Sequence, residues 1–372
     1  MQVTFHGQKF ATSATEFAAA AGLGAPWRRE VVKMTDQLKE SYDVVVAGGG
    51  AAGLNGAVML ARSRRSVVVL DSGTPRNAPA EGVHGLLGRE NMPPAELLRR
   101  GRAEVRGYGG HVVTAEVATA ARDGAGFVVT MADGRSVRAR RLLVTTGLVD
   151  LLPSIPGLRE RWGRDVLHCP YCHGWEVRDQ AIGVLATSPR SVHQALLFRQ
   201  LSADISYFTH MSAGPDEEQA EQLAARGVRV VTGTVVALET ADDRLVGVRL
   251  VDGTVVPRTA LGVGPRMVAR AGFLAGLGLR AVEHPSGLGE HIPADPTGRT
   301  EVAGVWAAGN VTDLAAQVGA AAAGGAVAGS AINADLIAEE TQRAVAALRH
   351  PFSGRSEARV AELVAGEGRH GL

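Results

Sequence analysis

Short apolar runs alternate with helical patterns from about residue 42 onward, and this alternation predicts an α/β protein. The first apolar run ends in a cluster of glycines, after which apolar residues recur at helical spacing. The predicted elements of this first unit are a strand at 43–47, a helix to about residue 62, a strand at 67–70, a helix at 96–108, a β-meander of strands at 112–120, 126–131 and 136–139, and a strand at 142–145.

A second α/β unit follows Pro153 and Pro156, and the chain then returns to the first unit. The predicted elements of the second unit are a strand at 181–186, a helix at 192–201, a strand at 205–209, a helix at 217–226, a strand at 228–231 and a hairpin of 235–239 with 245–251. A last apolar run at 302–307 leads into a helix of small residues. The pattern therefore predicts two Rossmann-like domains, with the second inserted into the first.

Length, composition and charge limit the classes of function. The chain has 372 residues, a net charge of +1 and 45% hydrophobic residues, as expected for a two-domain globular protein. This balance gives no reason to expect nucleic-acid or membrane-surface binding. The N-terminus lacks a secretory signal pattern, and the stretch 315–336 is too rich in small and polar residues for a lipid-facing span. We expect a buried helix there and a cytoplasmic protein.

Residues 1–40 differ in composition from the rest of the chain. They contain every lysine, namely Lys9, Lys33 and Lys39, whereas later basic positions are arginine or histidine. The segment is interpreted as a poorly ordered extension, or as the product of an upstream start with Met34 as the true first residue. An accessory role for this segment stays open.

The first chemical motif is a GxGxxG fingerprint at the junction of the first strand and helix. Its first glycine permits a tight turn, the second lets backbone approach a pyrophosphate, and the third lets helix pack on strand. An acidic residue ends the next strand, where it can bind ribose hydroxyls. The motif therefore predicts a dinucleotide site. Its candidate binding residues are Gly48, Gly50, Ala51, Ala52, Gly53 and Asp71.

The second motif is the segment TEVAGVWAAGNVTD at 300–313, which precedes the small-residue helix. The amide of Asn310, next to Gly309, can hydrogen-bond a ribityl chain. The helix that follows begins near Gln317 and Val318, and its positive N-terminus would favour negative charge on a reduced flavin.

The third motif is CPYCHG, which contains both cysteines of the chain, Cys169 and Cys172. Two thiols at this spacing at a helix start form an easily exchanged disulfide, and the helix dipole lowers a thiol pKa. His173 adjoins the pair and can move a proton as the disulfide opens and closes. The alternative interpretation is half of a zinc site that uses Cys169, Cys172, His168 and His173.

In this order, with Gly147 after a strand end, the motifs resemble the low-molecular-weight thioredoxin reductase family over about 42–336. The CPYCHG form is most similar to the dithiol oxidase branch, which closes disulfides in natural products such as gliotoxin and holomycin. The resemblance implies FAD, with Cys172 facing the flavin, Cys169 exchanging with substrate and His173 as acid/base. It also implies a homodimer and possible flavin contacts from Asn77 and His84.

The resemblance also predicts a domain division. The expected segments are an extension over 1–40, FAD-binding parts over 41–153 and 268–340, an NADPH-domain-like unit carrying the CxxC over 154–267, and a C-terminal helix and tail over 341–372.

The second Rossmann unit departs from the reductases at its nucleotide loop. Ala186, Thr187 and Ser188 stand where three glycines would contact a pyrophosphate, and no arginine pair follows the next strand. Arg190 and Arg199 are interpreted as solvated. We therefore expect NADPH binding to be lost.

Two enzymatic hypotheses and one non-enzymatic hypothesis remain at this point. The first is a thiol-disulfide oxidoreductase that oxidises a small dithiol, or a thioredoxin-like protein, and passes electrons through FAD to O₂. The alternative is a thioredoxin reductase that uses NAD(P)H through a divergent site or another donor. The third is a flavin- or zinc-binding regulatory protein.

Overall fold

The structure, a computed structural model, describes residues 38–350 together with Gly354, Glu357, Ala358, Ala361 and Glu362. The described residues belong to one compact unit, Leu38–Leu372. The predicted N-terminal extension, including Met34, lies outside the described residues except for positions 38–40.

The first part of the described chain forms most of one sheet and its flanking helices. Its elements are β1 (Ser41–Ala47), α1 (Ala51–Arg62), β2 (Val67–Asp71), α2 (Pro94–Gly107), β3 (His111–Thr114), β4 (Val117–Asp123), β5 (Gly126–Met131), β6 (Ser136–Val144) and β7 (Leu148–Leu151).

The remaining elements form the second unit and the return to the first. They are β8 (Val166–Leu167), α3 (Pro170–His173), β9 (Ile182–Leu185), α4 (Ser191–Phe198), β10 (Ile205–Phe208), α5 (Glu217–Ala225), β11 (Arg229–Val231), β12 (Val235–Ala241), β13 (Arg244–Leu250), β14 (Val255–Pro257), β15 (Ala260–Val263), β16 (Arg266–Ala269), β17 (Val282–Glu283), β18 (Glu290–His291), β19 (Val305–Ala307) and α6 (Val318–Arg349). Two 3-10 helices, Gly272–Leu277 and Gly309–Val311, complete this part.

The first sheet has seven strands in the order β3-β2-β1-β6-β5-β4, with β19 paired to β6. Strands β1, β2, β3, β6 and β19 are parallel, and β4 and β5 extend the sheet as an antiparallel meander. Four consecutive residues of β2, Val67 to Leu70, are buried because helices and the rest of the core cover both faces. The carboxyl ends of β1, β2 and β19 meet at one edge, where an α/β sheet binds its ligands.

The second sheet has five parallel strands in the order β11-β10-β9-β15-β8, beside a three-stranded antiparallel sheet of β12, β13 and β14. Its strands lie between Val166 and Val263, inside the span predicted for the inserted unit. Strands β7 and β16 pair antiparallel and carry the chain into and out of this unit. The predicted fold of two Rossmann-like units is confirmed.

Two predicted element boundaries are wrong. The strand predicted at 112–120 is two strands, because β3 pairs parallel with β2 whereas β4 turns into the meander. The strands predicted at 136–139 and 142–145 are one strand, β6, which pairs with β5 along its first half and with β1 over most of its length. These boundaries depend on which strands pair in the folded protein. The alternation of apolar and polar residues along the sequence does not reveal that pairing.

Helix α6 packs closely against α1 through glycines. A Cβ on Gly325 would lie 1.9 Å from the Ala52 carbonyl oxygen, and one on Gly329 would lie 2.7 Å from that of Gly56. By length and composition α6 could cross a membrane. In the protein 33% of the qualifying 18-residue window is buried, so the helix expected to be buried over 315–336 is buried along one face only. The small residues therefore serve helix packing. The helix continues without a break past residue 340, to Arg349.

Candidate active site

The glycines after β1 have distinct roles. Gly48 has a φ of +108°, and a Cβ there would lie 2.4 Å from the Thr145 carbonyl oxygen. A Cβ on Gly53 would lie 1.9 Å from the Gly48 carbonyl oxygen, so this glycine is required for packing. Gly50 is the N-cap of α1, and a Cβ there would meet nothing within 4 Å. The backbone at Gly50 is therefore open to a ligand, at a helix N-terminus whose first turn has no acidic residue.

Asp71, at the end of β2, lies beside the glycine turn. A Cβ on Gly49 would lie 2.4 Å from the Asp71 carboxyl carbon. The carboxylate accepts hydrogen bonds from Arg102 Nη2 at 2.7 Å and from the Gly73 backbone N–H at 3.1 Å. Each carboxylate oxygen has a second lone pair, so Asp71 can still accept from ribose hydroxyls. Arg102 on α2, which fixes this carboxylate, was not predicted from the sequence.

The N-terminus of α6 approaches the same region. Gly309 has a φ of +77° and contacts α1, since a Cβ there would lie 2.9 Å from the Ala52 Cβ. Asn310 Nδ2 donates to the carbonyl oxygens of Asp313 and Ala316 at 3.1 and 2.9 Å. The amide nitrogen thus holds the turn before α6, and the Oδ1 atom is left as the group that can accept from a ligand.

One cavity of about 290 Å³ joins the glycine turn to the cysteine pair. Every predicted site residue except Gly53 lines it. They are Gly48, Gly50, Ala51, Ala52, Asp71, Asn77, His84, Gly147, Cys169, Cys172, His173, Gly309, Asn310, Gln317 and Val318. Elements far apart in the sequence therefore place a dinucleotide-type turn and a dithiol around one space.

The cysteines lie at α3, a single helical turn, with Cys169 directly before it and Cys172 within it. Cys169 is its N-cap, and its carbonyl oxygen accepts from the backbone N–H of Cys172 at 3.1 Å. Both side chains are half-buried free thiols. A hydrogen bond from the Cys172 thiol lowers the pKa of Cys169 to about 7, helped by the backbone N–H groups of Cys172 and Tyr171. The same hydrogen bond, followed by burial, raises the pKa of Cys172. Of the two thiols in the reduced pair, Cys169 is therefore the one that ionises first.

Two histidines flank the pair. Burial lowers the pKa of His168 to about 4, with a further lowering from the Arg76 charge, so this imidazole is neutral at neutral pH. Its backbone carbonyl accepts from Gln194 Nε2 at 2.6 Å, which ties the start of the motif to α4. Burial also lowers the pKa of His173, and Glu176 opposes that lowering. His173 Nε2 is buried without a hydrogen-bond partner among the described residues.

An ion pair next to the cysteines was missed in the sequence. Arg76, in the loop after β2, donates from Nε and Nη2 to the Asp150 carboxylate of β7, each at 2.7 Å. Both residues line the cavity, and the Arg76 charge contributes to the lowered pKa of Cys169. A loop arginine and a strand aspartate 74 positions apart carry no local signal that would pair them.

The zinc alternative lacks a ligand set. Among the residues that the structure describes, no three His, Cys, Asp or Glu side chains are grouped so that they could hold a metal ion. His168 is held through its backbone by Gln194, and its ring is buried beside Arg76, a cation.

Comparison with known proteins identifies the family. Residues 42–330 match the pyridine nucleotide-disulphide oxidoreductase family. The chain belongs to this family. This oxidoreductase is 32% identical over 308 residues to the thioredoxin reductase tcpT of Claviceps purpurea, a match that covers 80% of this chain and 95% of tcpT.

Solved structures agree with that assignment. The crystal structure of HlmI has a TM-score of 0.80 at 46% sequence identity, over 86% of this chain and 100% of HlmI. The oxidoreductase from Agrobacterium tumefaciens has a TM-score of 0.75 at 36% identity, over 80% of this chain and 99% of that structure. These matches confirm the predicted resemblance to the thioredoxin reductase-like proteins, and they show that the chain is an enzyme.

Membership of this oxidoreductase family implies FAD, and the cavity fits that cofactor. The open backbone at Gly50 and the α1 N-terminus suit a pyrophosphate, and the Asp71 carboxylate suits an adenosine ribose. Gln317 is the N-cap of α6 and Val318 its first residue, both line the cavity, and the first turn of the helix contains no acidic residue, so this N-terminus suits a negatively charged group.

In the second unit of this oxidoreductase, the loop at 187–191 corresponds to the glycine turn of the first unit, and side chains of the loop hydrogen-bond its own backbone. The Ser191 hydroxyl accepts hydrogen bonds from the backbone N–H groups of Thr187 and Ser188, each at 3.1 Å. The Thr187 hydroxyl donates to the Gly264 carbonyl oxygen at 2.7 Å. The N–H groups that would face a pyrophosphate in a Rossmann loop are thus already bonded. Arg199 donates to backbone carbonyl oxygens, including that of Arg226 at 2.7 Å.

Proposed function

We propose that this enzyme oxidises a dithiol to a disulfide through Cys169 and Cys172, with FAD as the bound cofactor and O₂ as the final acceptor. One observation carries the proposal: a dithiol pair with a nucleophilic first cysteine shares the FAD-type cavity, while Ser191 closes the second nucleotide loop. Such an enzyme has a route for electrons from thiols and no evident route from NADPH.

The cysteine chemistry follows from the asymmetry of the pair. With the pair oxidised, a substrate thiolate attacks Cys169 Sγ, which breaks the Cys169–Cys172 bond and leaves a mixed disulfide on Cys169. The second substrate thiol, once deprotonated, attacks the first substrate sulfur in that mixed disulfide, which breaks the bond to Cys169 and releases the Cys169 thiolate. The substrate leaves as a disulfide, and both cysteines are reduced.

FAD, when bound, would accept the two electrons of the reduced pair and pass them to O₂. The net change is one dithiol and one O₂ converted to one disulfide and one H₂O₂, with both thiol protons ending on the peroxide. His173 adjoins Cys172 and can take up and return those protons. Gly50, Asp71 and the N-terminus of α6 are the groups that would hold the cofactor.

The surface beside the pair supports a small dithiol substrate. Tyr171, between the two cysteines, and Trp175, directly after the motif, have 69% and 65% of their surfaces exposed. Arg178 lies over the Trp175 ring at 4.2 Å. Exposed aromatic rings next to an exchanging thiol suit an apolar or aromatic dithiol, and a thioredoxin-like protein is the other candidate partner. A cytoplasmic homodimer is a further part of this proposal, and it rests on the family resemblance.

The test is a product balance. Purified enzyme with a small dithiol in air should yield one H₂O₂ for each dithiol consumed, and Cys169→Ser and Cys172→Ser variants should each lose at least about 10³-fold in rate because neither can close the disulfide. Dithiol consumption without peroxide would remove O₂ from the proposal. Turnover that requires NADPH and a disulfide would instead identify a thioredoxin reductase, the activity in the names of several relatives.

A further inference from the structure

The aspartates and arginines that line the cavity do not balance in charge. Asp71 accepts a hydrogen bond from Arg102, and Arg76 donates to both oxygens of the Asp150 carboxylate. The remaining residue of these two types among the described lining residues is Arg270, directly after β16. No carboxylate of the described residues pairs with Arg270, so its positive charge is left over at the cavity.

The backbone of Arg270 is held in place, whereas its side chain has no partner among the described residues. The backbone N–H donates to the Gly147 carbonyl oxygen at 3.0 Å, and the carbonyl oxygen of Arg270 accepts from Thr146 Oγ1 at 2.6 Å. The residue is exposed, and its guanidinium makes no hydrogen bond or ion pair with any described residue. A guanidinium carries only N–H donors, so this side chain is suited to an anionic ligand.

These backbone contacts place Arg270 at the end of the cavity that holds the glycine turn. A Cβ on Gly48 would lie 3.0 Å from the backbone nitrogen of Thr146, so the end of β6 lies against the turn that precedes α1. Arg270 hydrogen-bonds to that same end of β6. The cysteine motif has a different cation, Arg76, whose charge contributes to the lowered pKa of Cys169.

We propose that Arg270 binds the pyrophosphate of the FAD that this cavity fits. A pyrophosphate group carries about two negative charges, and the N-terminus of α1 offers only about half a positive charge. A guanidinium supplies a full charge and can donate two parallel hydrogen bonds to phosphate oxygens. The inference rests on the FAD site of the proposed function, and it does not depend on which acceptor takes the electrons.

The test measures ligand binding by calorimetry in the flavin-free protein. The ligands are FAD and ADP, because ADP carries the pyrophosphate and the adenosine without the flavin. Arg270→Gln should weaken the binding of both by about tenfold or more, since charge-assisted hydrogen bonds are lost. Arg270→Lys keeps the charge but not the two-point geometry, so it should lose less affinity than Arg270→Gln.

Arg280→Gln is the matched control. Arg280 is also exposed and has no ion pair among the described residues, but it does not line the cavity. This variant should bind FAD and ADP as the wild type does. Urea unfolding of the flavin-free protein should be the same in Arg270→Gln and in the wild type, because the Arg270 side chain has no described partner to lose.

Ionic strength gives a second readout. Salt screens an exposed charge pair, so added NaCl should raise the FAD dissociation constant more steeply in the wild type than in Arg270→Gln. Equal FAD affinity or equal salt dependence in the two proteins would overturn the inference.

The ADP titration shows which half of the cofactor Arg270 contacts. Weaker binding of FAD with unchanged binding of ADP would overturn the inference, because Arg270 would then contact the flavin half. A wild-type protein that binds neither ligand would refute the FAD site, and with it both the inference and the proposed function. Normal FAD binding without H₂O₂ from a dithiol in air would refute only the proposed acceptor.

Discussion

Arg76 and Asp150 form a two-point ion pair, with both nitrogen–oxygen distances at 2.7 Å, next to the first cysteine of the CxxC motif. The Asp150 side chain is 7% exposed, so the guanidinium is held by a buried partner. The pair joins the loop after β2 to the strand that leads into the second unit. It therefore places a fixed positive charge where a thiolate forms.

Replacing that charge should make Cys169 less reactive. In Arg76→Gln the pKa of Cys169 should rise from about 7, because a charge that favours the thiolate is gone. The measurement is the pH dependence of iodoacetamide alkylation in the reduced protein, whose midpoint should move to higher pH. Arg89→Gln, an exposed position in the same loop, should leave the midpoint in place. Equal midpoints in both variants would exclude this role of Arg76.

The two cysteines should differ in reactivity. The pKa of Cys169 is lowered to about 7 and that of Cys172 is raised, so the Cys169 thiolate forms as pH rises through about 7 while Cys172 keeps its proton. The reduced protein is alkylated briefly at pH 7.5, a working value just above the pKa of Cys169, and the labelled residues are identified by peptide mass spectrometry. Label on Cys169 should exceed label on Cys172 by about tenfold or more. Preferential labelling of Cys172 would reverse the assigned roles.

Gly50 should be needed for the cofactor and dispensable for the fold. A methyl group there meets nothing within 4 Å, but it projects into the space proposed for the pyrophosphate. Gly50→Ala should weaken FAD binding by about tenfold or more, a cost of about 1.4 kcal/mol, and should keep the unfolding midpoint of the flavin-free protein. Gly272→Ala, also in open space but away from the cavity, is the matched control. Full flavin content in Gly50→Ala would contradict the assignment.

Ser191 should contribute to stability through the closed loop. Its hydroxyl is the acceptor for two backbone N–H groups, and the residue is 1% exposed. Ser191→Ala should lower the free energy of unfolding by about 1–2 kcal/mol, since both donors lose their partner. Urea unfolding is the measurement, and Ser330→Ala, at an exposed position of α6, should change it by less than about 0.5 kcal/mol. Equal stability of both variants would show that water replaces the Ser191 hydroxyl.

Much of the fold could be predicted from the sequence because the signals that specify the first Rossmann unit lie close together along the chain. A glycine turn between an apolar strand and a helix fixes the first Rossmann unit, and β1, α1 and β2 lie where the pattern predicts them. The sequence pattern predicts β3 and β4 as one strand, and it predicts β6 as two strands. Those boundaries depend on which neighbour each strand pairs with, and this information lies elsewhere in the chain.

The sequence predicts those site residues that belong to local motifs. The predicted glycines, Asp71 and the cysteine motif come together around one cavity, except for Gly53, whose contact is with the Gly48 carbonyl oxygen. The partners that tune these groups were missed. Arg76, Arg102 and Gln194 act through contacts between residues 26 to 74 positions apart, and nothing in the neighbouring sequence indicates such contacts.

The direction of electron flow is tested most directly by an anaerobic titration of the flavin-containing enzyme. Flavin absorbance is followed first during addition of NADPH and then during addition of a small dithiol. The closed loop at Ser191 and the reactive Cys169 predict no bleaching by NADPH, stoichiometric bleaching by the dithiol, and recovery with H₂O₂ when air is admitted. Rapid stoichiometric bleaching by NADPH would contradict this and would show that the enzyme runs as a reductase.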